Sequence, residues 1–151
     1  MGRLRENLQG EKVYLDANIF IYTLEAHPLW VPLLTDLFSG LYRHEFAAST
    51  SNLTLSECLV MPFKKRDPNL IKTYREALQP SEFLRVAPID THTLITAAHL
   101  RAQFGQKLPD AIHTATAQIE ACTVILTNDI GFKRIAGLKV FILSEWLDSA
   151  I

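Results

Sequence analysis

The stretch VYLDANIF, residues 13–20, places one carboxylate between two apolar runs in a part of the chain that builds a core. The run before it predicts a short buried strand that begins at Lys12 and ends at Asp16. The apolar residues after it continue to Leu24 with the spacing of one helical face, which predicts a helix over residues 18–25. A strand followed directly by a helix is the repeating unit of an α/β fold.

The same alternation continues through the rest of the chain. Four further strands are predicted at residues 45–49, 83–89, 122–127 and 139–143. Helices are predicted at 29–43, 52–63, 68–79, 91–104, 109–121 and 144–151, with a turn or short helix at 129–137. Strands that alternate with helices form parallel crossovers, and a parallel sheet needs helices on both faces. The predicted fold is therefore α/β, a three-layer α/β/α sandwich with a central, mostly parallel sheet.

The length and composition fit one ordinary globular domain. The chain has 151 residues, of which 48% are hydrophobic, and its formal net charge is -1. We expect a single domain over residues 1–151, with a polar N-terminal leader at 1–11 and a globular core at 12–151. The net charge gives no general attraction to nucleic acids or anionic membranes, so a nucleic acid would have to contact a local basic patch.

The cysteines and the N-terminus indicate where the protein resides. Cys58 and Cys122 lie in apolar surroundings without paired or metal-ligand spacing, which predicts reduced core thiols and no zinc site. Residues 1–12 lack the apolar centre of a secretory signal, and no apolar run approaches the length of a membrane span. We therefore expect a cytoplasmic protein with no membrane partner.

Four acidic residues stand out because of their positions in this pattern. Asp16 and Asp129 follow predicted strands, whereas Glu57 and Asp110 lie near the start of helices that are otherwise apolar. Because ligands of open parallel sheets bind beyond the carboxyl ends of the strands, all four could face one edge. Carboxylates held close together repel one another unless a cation or a shared proton is present. Oxygen ligands of this kind favour Mg²⁺ or Mn²⁺ over zinc.

Each acid also has a local explanation. Asp16 and Asp129 could cap the helix or turn that follows them, because Asp is favoured at such positions. Asp110 in a first helical turn complements the helix dipole, and Glu57 could be a solvated helix residue. Four independent caps, however, would not require acids within segments that are otherwise destined for burial.

Four segments carry a resemblance to a known family. LDANIFIY (15–22), LTLSECL (53–59), LPDAIHTATA (108–117) and ILTNDIGF (125–132) look like the successive motifs of PIN-domain ribonucleases. Within that family the chain is most similar to the VapC-type toxins of bacterial toxin–antitoxin pairs. The resemblance extends over residues 13–143 and includes the motif order and the β/α alternation.

The resemblance implies a set of site residues. The four catalytic positions would be Asp16, Glu57, Asp110 and Asp129, with Asp16, Asp110 and Asp129 as metal ligands and with Asn18, Thr127 and Asn128 as supporting polar neighbours. Many members carry another Asp just before the Phe of the last motif, and here Gly131 occupies that place. This departure weakens the expectation of a second metal ion.

The resemblance also implies an activity and partners. A Mg²⁺- or Mn²⁺-dependent endoribonuclease would hydrolyse RNA phosphodiester bonds to a 5′-phosphate and a 3′-hydroxyl, without a side-chain nucleophile. A VapC-type toxin would form a homodimer and would be inhibited by a separately encoded antitoxin whose tail lies over the acidic site. Trp30, Phe38 and Tyr42 recur at helical spacing, which indicates core first and a partner groove second.

Basic residues supply weaker predictions for contacts with the substrate. The candidates are Lys64, Lys65, Arg66, His113, Lys133 and Arg134. The KKR run is also typical of a solvated loop, and a His among Ala and Thr is typically a packed or hydrogen-bonded residue. The remaining histidines, at positions 27, 44, 92 and 99, have no acid at ligand spacing and are interpreted as structural.

Two other classes of function remain open from the sequence. A catalytically silent PIN-like module would bind nucleic acid or protein and would keep the fold while losing an acid, but all four motif acids are present here. A haloacid-dehalogenase-type phosphatase would use Asp16 as the nucleophile and a second Asp two places later. That place is Asn18, so the phosphatase signature is incomplete.

Overall fold

A computed structural model describes residues 3–135 and 137–150 of the chain, with side chains up to residue 148. It contains one five-stranded sheet, whose strands are β1 (Lys12–Leu15), β2 (Ala47–Ser51), β3 (Leu84–Ala87), β4 (Val124–Thr127) and β5 (Lys139–Ile142). The strand order is β3-β2-β1-β4-β5, and every neighbouring pair is parallel. The predicted α/β sandwich with a parallel sheet is confirmed, and each predicted strand overlaps an observed one.

Seven α-helices and one 3₁₀ helix are present in the described residues. They are α1 (Leu4–Asn7), α2 (Ala17–Leu24), α3 (Val31–Tyr42), α4 (Asn52–Lys64), α5 (Pro68–Ala77), α6 (Thr91–Phe104), α7 (Leu108–Ile119) and the 3₁₀ helix Leu143–Ala150. Asp16, Asp67 and Asp90 cap α2, α5 and α6 through their side-chain oxygens. None of these helices is both long enough and apolar enough to cross a bilayer.

The two faces of the sheet support separate cores. Val13 and Leu15 of β1 point to the face covered by α1 to α5 and the 3₁₀ helix, where most of the apolar core lies. Tyr14, between them, points to the opposite face, which is covered by α6 and α7. Successive side chains of a strand alternate in this way, so β1 is buried on both sides.

The connections place three chemically important segments at one edge of the sheet. Because all strands run parallel, their carboxyl ends meet at that edge. Asp16 directly follows the central strand β1, and Thr127 ends its neighbour β4. Helix α4, which carries Glu57, begins directly after β2 on the other side of β1.

The N-terminal segment differs from the sequence-based prediction. We expected a polar leader at residues 1–11, but α1 lies in this segment and packs against α3 and the 3₁₀ helix. Leu4 is 1% exposed and Leu8 is 0% exposed, and both belong to the main core. The predicted boundary at residue 12 was therefore too late, because two isolated leucines in a polar stretch give no clear periodicity.

A pair of leucine substitutions tests the contribution of this segment. Leu8→Ala should lower the free energy of unfolding by about 2–4 kcal/mol, the range for a fully buried leucine. Leu29→Ala is the matched control, because Leu29 is 55% exposed, and it should cost less than about 1 kcal/mol. Urea denaturation of both variants measures the difference. Equal losses would contradict the burial of Leu8.

Candidate active site

Asp16 is the most firmly held acid of the site. It is 9% exposed, and its Oδ1 accepts a hydrogen bond of 2.7 Å from the backbone N–H of Ala17 at the start of α2. Its Oδ2 accepts a bond of 2.6 Å from the hydroxyl of Thr127 at the end of β4. The local explanation as a helix cap is therefore correct, and it coexists with a position at the carboxyl edge of the sheet.

Thr127 also connects Asp16 to Asp129. The hydroxyl oxygen of Thr127 accepts a bond of 3.1 Å from the backbone N–H of Asp129. The exposed Asp129 carboxylate accepts a bond of 2.9 Å from the backbone N–H of Gly131. A Cβ atom at Gly131 would lie 3.2 Å from the Asp129 carboxylate, so a larger residue at this position would require that side chain to shift slightly.

Asp110 is linked to the other acids by its electrostatics. It lies in the first turn of α7 and is partly buried. Burial raises the pKa of the Asp110 carboxyl, and the negative charges of Asp129 and Asp16 raise it further, with opposing effects from His113 and Lys107. The ionised form of Asp110 is therefore penalised by its neighbours, which is the signature of like charges held close together.

Glu57 is held by His113 from α7. Its Oε1 lies 2.6 Å from the Nε2 of His113, and the same nitrogen lies 3.4 Å from the Oδ1 of Asp16. Burial lowers the pKa of His113, but the hydrogen bond to Glu57 and the charges of Asp16, Glu57 and Asp110 outweigh burial and raise it overall. The neighbouring acids therefore favour the protonated imidazole, which is the form that offsets negative charge.

His113 was predicted as a weak substrate contact, and its geometry argues against that role. Its side chain is 2% exposed, and its second ring nitrogen, Nδ1, lies 2.6 Å from the hydroxyl of Tyr14. Both ring nitrogens therefore have protein partners. The alternative reading, a packed and hydrogen-bonded histidine, matches what the structure contains.

The donor set fits a divalent cation. Asp16, Glu57 and His113 each offer a ligand atom within 4.8 Å of the others, while Asp110 adds a carboxylate whose pKa is raised in part by the charges of Asp129 and Asp16. In addition, the buried side-chain oxygen of Asn18, two residues after Asp16, has no hydrogen-bond partner among the described residues. Several anionic oxygens and an unused neutral one form the set of donors that Mg²⁺ or Mn²⁺ favours.

Asn128, a predicted supporting residue, faces away from the acids. Its side-chain amide donates a bond of 3.2 Å to the hydroxyl of Tyr22, and its oxygen accepts a bond of 3.0 Å from the backbone N–H of Ser144. Asn128 therefore joins β4 to α2 and to the 3₁₀ helix. Its contribution is to fix the turn that carries Asp129.

The basic residues predicted to contact substrate lie in three different environments. Lys64, Lys65 and Arg66 are exposed at the end of α4, about 10 Å or more along the helix axis from Glu57. Lys133 donates a bond of 2.9 Å to the backbone oxygen of Phe104. Arg134 donates a bond of 2.7 Å to the backbone oxygen of Val140. The structure therefore does not gather these residues around the acids, and their contact with substrate stays a prediction.

Sequence reasoning missed the role of Tyr14. Strand alternation indicates that Tyr14 faces away from Val13 and Leu15, toward the layer that contains α7. In the sequence, His113 is a histidine among the Ala and Thr residues of a predicted helix. The spacing of the two motifs does not predict that these two side chains meet, because that contact depends on how α7 lies across β1.

A separate groove lies beside α3. It has a volume of about 680 Å³ and is lined mainly by apolar side chains of α2, α3 and the segment before β3, among them Phe20, Phe38, Tyr42 and Phe83. Tyr42 is 59% exposed, whereas Trp30 is 6% exposed and belongs to the core. Of the three aromatic residues at helical spacing, Trp30 is therefore core, and Phe38 and Tyr42 form part of the groove.

Similar proteins identify the family to which the chain belongs. The model of the PIN domain family matches residues 13–138, and no curated protein sequence matches the chain. A toxin–antitoxin complex from Klebsiella pneumoniae is 23% identical, with a TM-score of 0.62, over 83% of this chain and 94% of that one. VapBC2 from Rickettsia felis, bound to a DNA fragment from their promoter, is 18% identical, with a TM-score of 0.67, over 87% and 98%.

A third similar structure is VapC20 from Mycobacterium tuberculosis, a sarcin–ricin loop cleaving toxin. It is 14% identical, with a TM-score of 0.58, over 75% of this chain and 86% of that one. At these identities the solved structures establish a common fold, while the family match covers most of the sequence. The chain belongs to the PIN domain family.

Proposed function

We propose that this protein is a metal-dependent endoribonuclease and the toxin of a toxin–antitoxin pair. The observation that carries the proposal is the convergence of Asp16, Glu57, Asp110 and Asp129 at the carboxyl edge of the sheet. Asp16 is fixed by two hydrogen bonds, and the raised pKa of Asp110 reflects burial and the charges of Asp129 and Asp16. Such a cluster is costly for stability and is explained by a task that needs concentrated negative charge.

The mechanism assigns the carboxylates to positioning. When bound at this edge, a Mg²⁺ or Mn²⁺ ion supplies Lewis-acid activation of the attacking water and offsets the charge of the phosphate. Asp16, Asp110 and Asp129 are the residues that would hold it. Thr127 and the start of α2 keep the Asp16 carboxylate in one orientation, and Glu57 adds negative charge that can orient the water. No side chain of this set needs to form a covalent intermediate.

RNA is the substrate that we infer, with products that carry a 5′-phosphate and a 3′-hydroxyl. Support comes from the family and from the similar fold of a toxin that cleaves the sarcin–ricin loop, a structured RNA. The exposed run Lys64, Lys65 and Arg66 could contact phosphates of the RNA backbone at a distance from the acids. Because recognition of structured RNA depends on shape and on unpaired bases, the loops around the site would set the specificity.

An antitoxin is the partner that we infer for the apolar groove beside α3. Two of the structurally similar proteins are toxin–antitoxin complexes. The groove is large and apolar and exposes Tyr42, features that suit an amphipathic helix of a partner. An Arg from the same partner could pair with the acidic cluster and block it. The homodimer stays a prediction, supported by exposed apolar side chains such as Met61 of α4 and Ile95 of α6.

The other two classes have less support. A silent PIN-like module would keep the fold without needing all four acids, and all four are present here. A dehalogenase-type phosphatase needs an Asp where Asn18 stands. The family match to the PIN domain argues against the phosphatase, and the presence of all four acids favours the nuclease over a silent module.

RNA cleavage is the direct test of the enzymatic part. Purified protein with Mn²⁺ or Mg²⁺ should cut structured RNAs, and EDTA should abolish cutting. Asp110→Asn should reduce the rate on the order of 100-fold or more, because it removes a proposed metal ligand. Asp148→Asn, at an exposed acid of the 3₁₀ helix, should leave the rate unchanged. Equal activity of Asp110→Asn and wild type would refute the assignment.

Thermal stability tests the crowding of charge independently of RNA. Because the pKa of Asp110 is raised in the folded state, its ionised form destabilises the metal-free protein above that pKa, and the penalty disappears as the pH falls through it. Asp110→Asn should therefore raise the Tm in EDTA at pH 7, because it removes the charge that is penalised there. Mn²⁺ should raise the Tm of the wild type more than that of the variant. The opposite order in both measurements would contradict the charge cluster.

Growth of a bacterial host tests the toxin part. Induced expression of the wild-type chain should arrest growth, because an unpaired ribonuclease depletes RNA that the cell needs. Asp110→Asn at the same expression level should allow normal growth. If the host continues to grow although the wild-type protein cuts RNA in vitro, the proposed nuclease activity stands and the proposed role as a toxin is contradicted.

A further inference from the structure

We propose that His113 is a positioning residue that holds the Glu57 carboxylate at the acidic edge of the sheet and that is not itself a metal ligand. This inference rests on the proposed function, because it assigns a role in the same site. It concerns a histidine that is buried in the middle of α7 and contacts two of the four acids. Its evidence is geometric.

The contacts of the imidazole leave no nitrogen free. Nε2 lies 2.6 Å from the Oε1 of Glu57, and Nδ1 lies 2.6 Å from the hydroxyl oxygen of Tyr14. An ionised carboxylate can only accept, so Nε2 carries the proton and donates it to Glu57. The hydroxyl of Tyr14 is also 2.9 Å from the hydroxyl oxygen of Ser51, which gives the chain of bonds a further anchor in β2.

The separation of His113 and Glu57 is that of a direct hydrogen bond. Oxygen and nitrogen ligands lie about 2.1 Å from a divalent cation of this size, so two ligands at right angles lie about 3 Å apart. The observed 2.6 Å is shorter than that and is typical of a charge-assisted hydrogen bond. In this structure His113 therefore contacts Glu57 through a direct hydrogen bond.

Glu57 needs such support because of its own flexibility. Its side chain is 35% exposed, it has three rotatable bonds, and it lies in α4, a different element from the other acids. Without a partner, an exposed glutamate samples many rotamers and loses freedom when it is fixed. A bond to a buried, immobile donor selects one of these rotamers before metal or RNA arrives.

The donor is immobile because two strands hold it. The Tyr14 side chain is 0% exposed, and its ring packs edge-on against the His113 ring with a centroid distance of 5.5 Å. Tyr14 is also only two residues before Asp16 in the chain. The strand that ends directly before Asp16 thus holds the residue that orients Glu57, which couples the positions of these two acids.

Kinetics of matched variants test the role. His113→Ala removes the donor, and loss of such an outer partner should lower kcat about 10- to 100-fold. KM should stay unchanged, because Glu57 orients the reacting groups and His113 does not touch RNA. His113→Gln keeps an N–H near the position of Nε2 and should recover most of kcat. His99→Ala, an exposed histidine of α6, is the control and should match wild type.

A reduced kcat for His113→Gln equal to that of His113→Ala would overturn the positioning role, and so would a change confined to KM. Circular dichroism melts identify variants that fail to fold. For that case, ¹⁵N-edited NMR of the wild type gives a second readout that needs neither RNA nor a His113 variant. The Nε2 proton of His113 should be observed in the metal-free protein, and Glu57→Ala should remove it.

The same spectra separate this inference from the proposed function. Addition of Mg²⁺ should leave the Nε2 proton in place, whereas its loss would make His113 a metal ligand and overturn the inference. If the wild-type protein cuts no RNA in Mn²⁺ or Mg²⁺, the proposed function is contradicted. The ring proton and its dependence on Glu57 then still decide whether His113 positions that carboxylate.

Discussion

The mutual repulsion of acids at one edge of the sheet is the constraint on which the rest of the site depends. A parallel sheet directs the ends of its strands to the same edge, and β1 and β4 are neighbours there. Asp16 and Asp129 are therefore brought close by topology, and the first turn of α7 adds Asp110. The molecule must supply groups that make this concentration of charge tolerable.

Three elements supply such groups, and each does so in a different way. The start of α2 offers a backbone N–H to Asp16, the end of β4 offers the hydroxyl of Thr127, and α7 offers the imidazole of His113. Helix α7 can lie close to the sheet because its buried residues are mostly Ala and Thr. That close approach allows the His113 ring to reach both Tyr14 and the acids.

Much of the fold follows from local patterns in the chain. Short apolar runs such as residues 122–127 and amphipathic runs such as 91–104 predict the strands and helices, because periodicity and caps are local properties. The positions of Asp16 and Asp129 after strands are local in the same sense. The packing of Leu4 and Leu8 and the contact of His113 with Tyr14 were not predicted, because they depend on how distant elements lie against each other.

The contacts of the basic residues also could not be predicted from local sequence. Their charge made Lys64, Lys65 and Arg66 candidates for contact with substrate, but they lie at the end of α4, away from Glu57. Lys133 and Arg134 are close to Asp129 in sequence, yet they bond to backbone oxygens of α6 and β5. A contact with RNA phosphates cannot be read from charge alone when the direction of each side chain is set by its own neighbours.

Anomalous diffraction from crystals grown with Mn²⁺ tests the central claim most directly. The account predicts an anomalous peak among the carboxylates of Asp16, Asp110 and Asp129, with the His113 ring still bonded to Glu57 and to Tyr14. A chain without such a peak at saturating Mn²⁺, or with the ion bound to the Nε2 of His113, would contradict it.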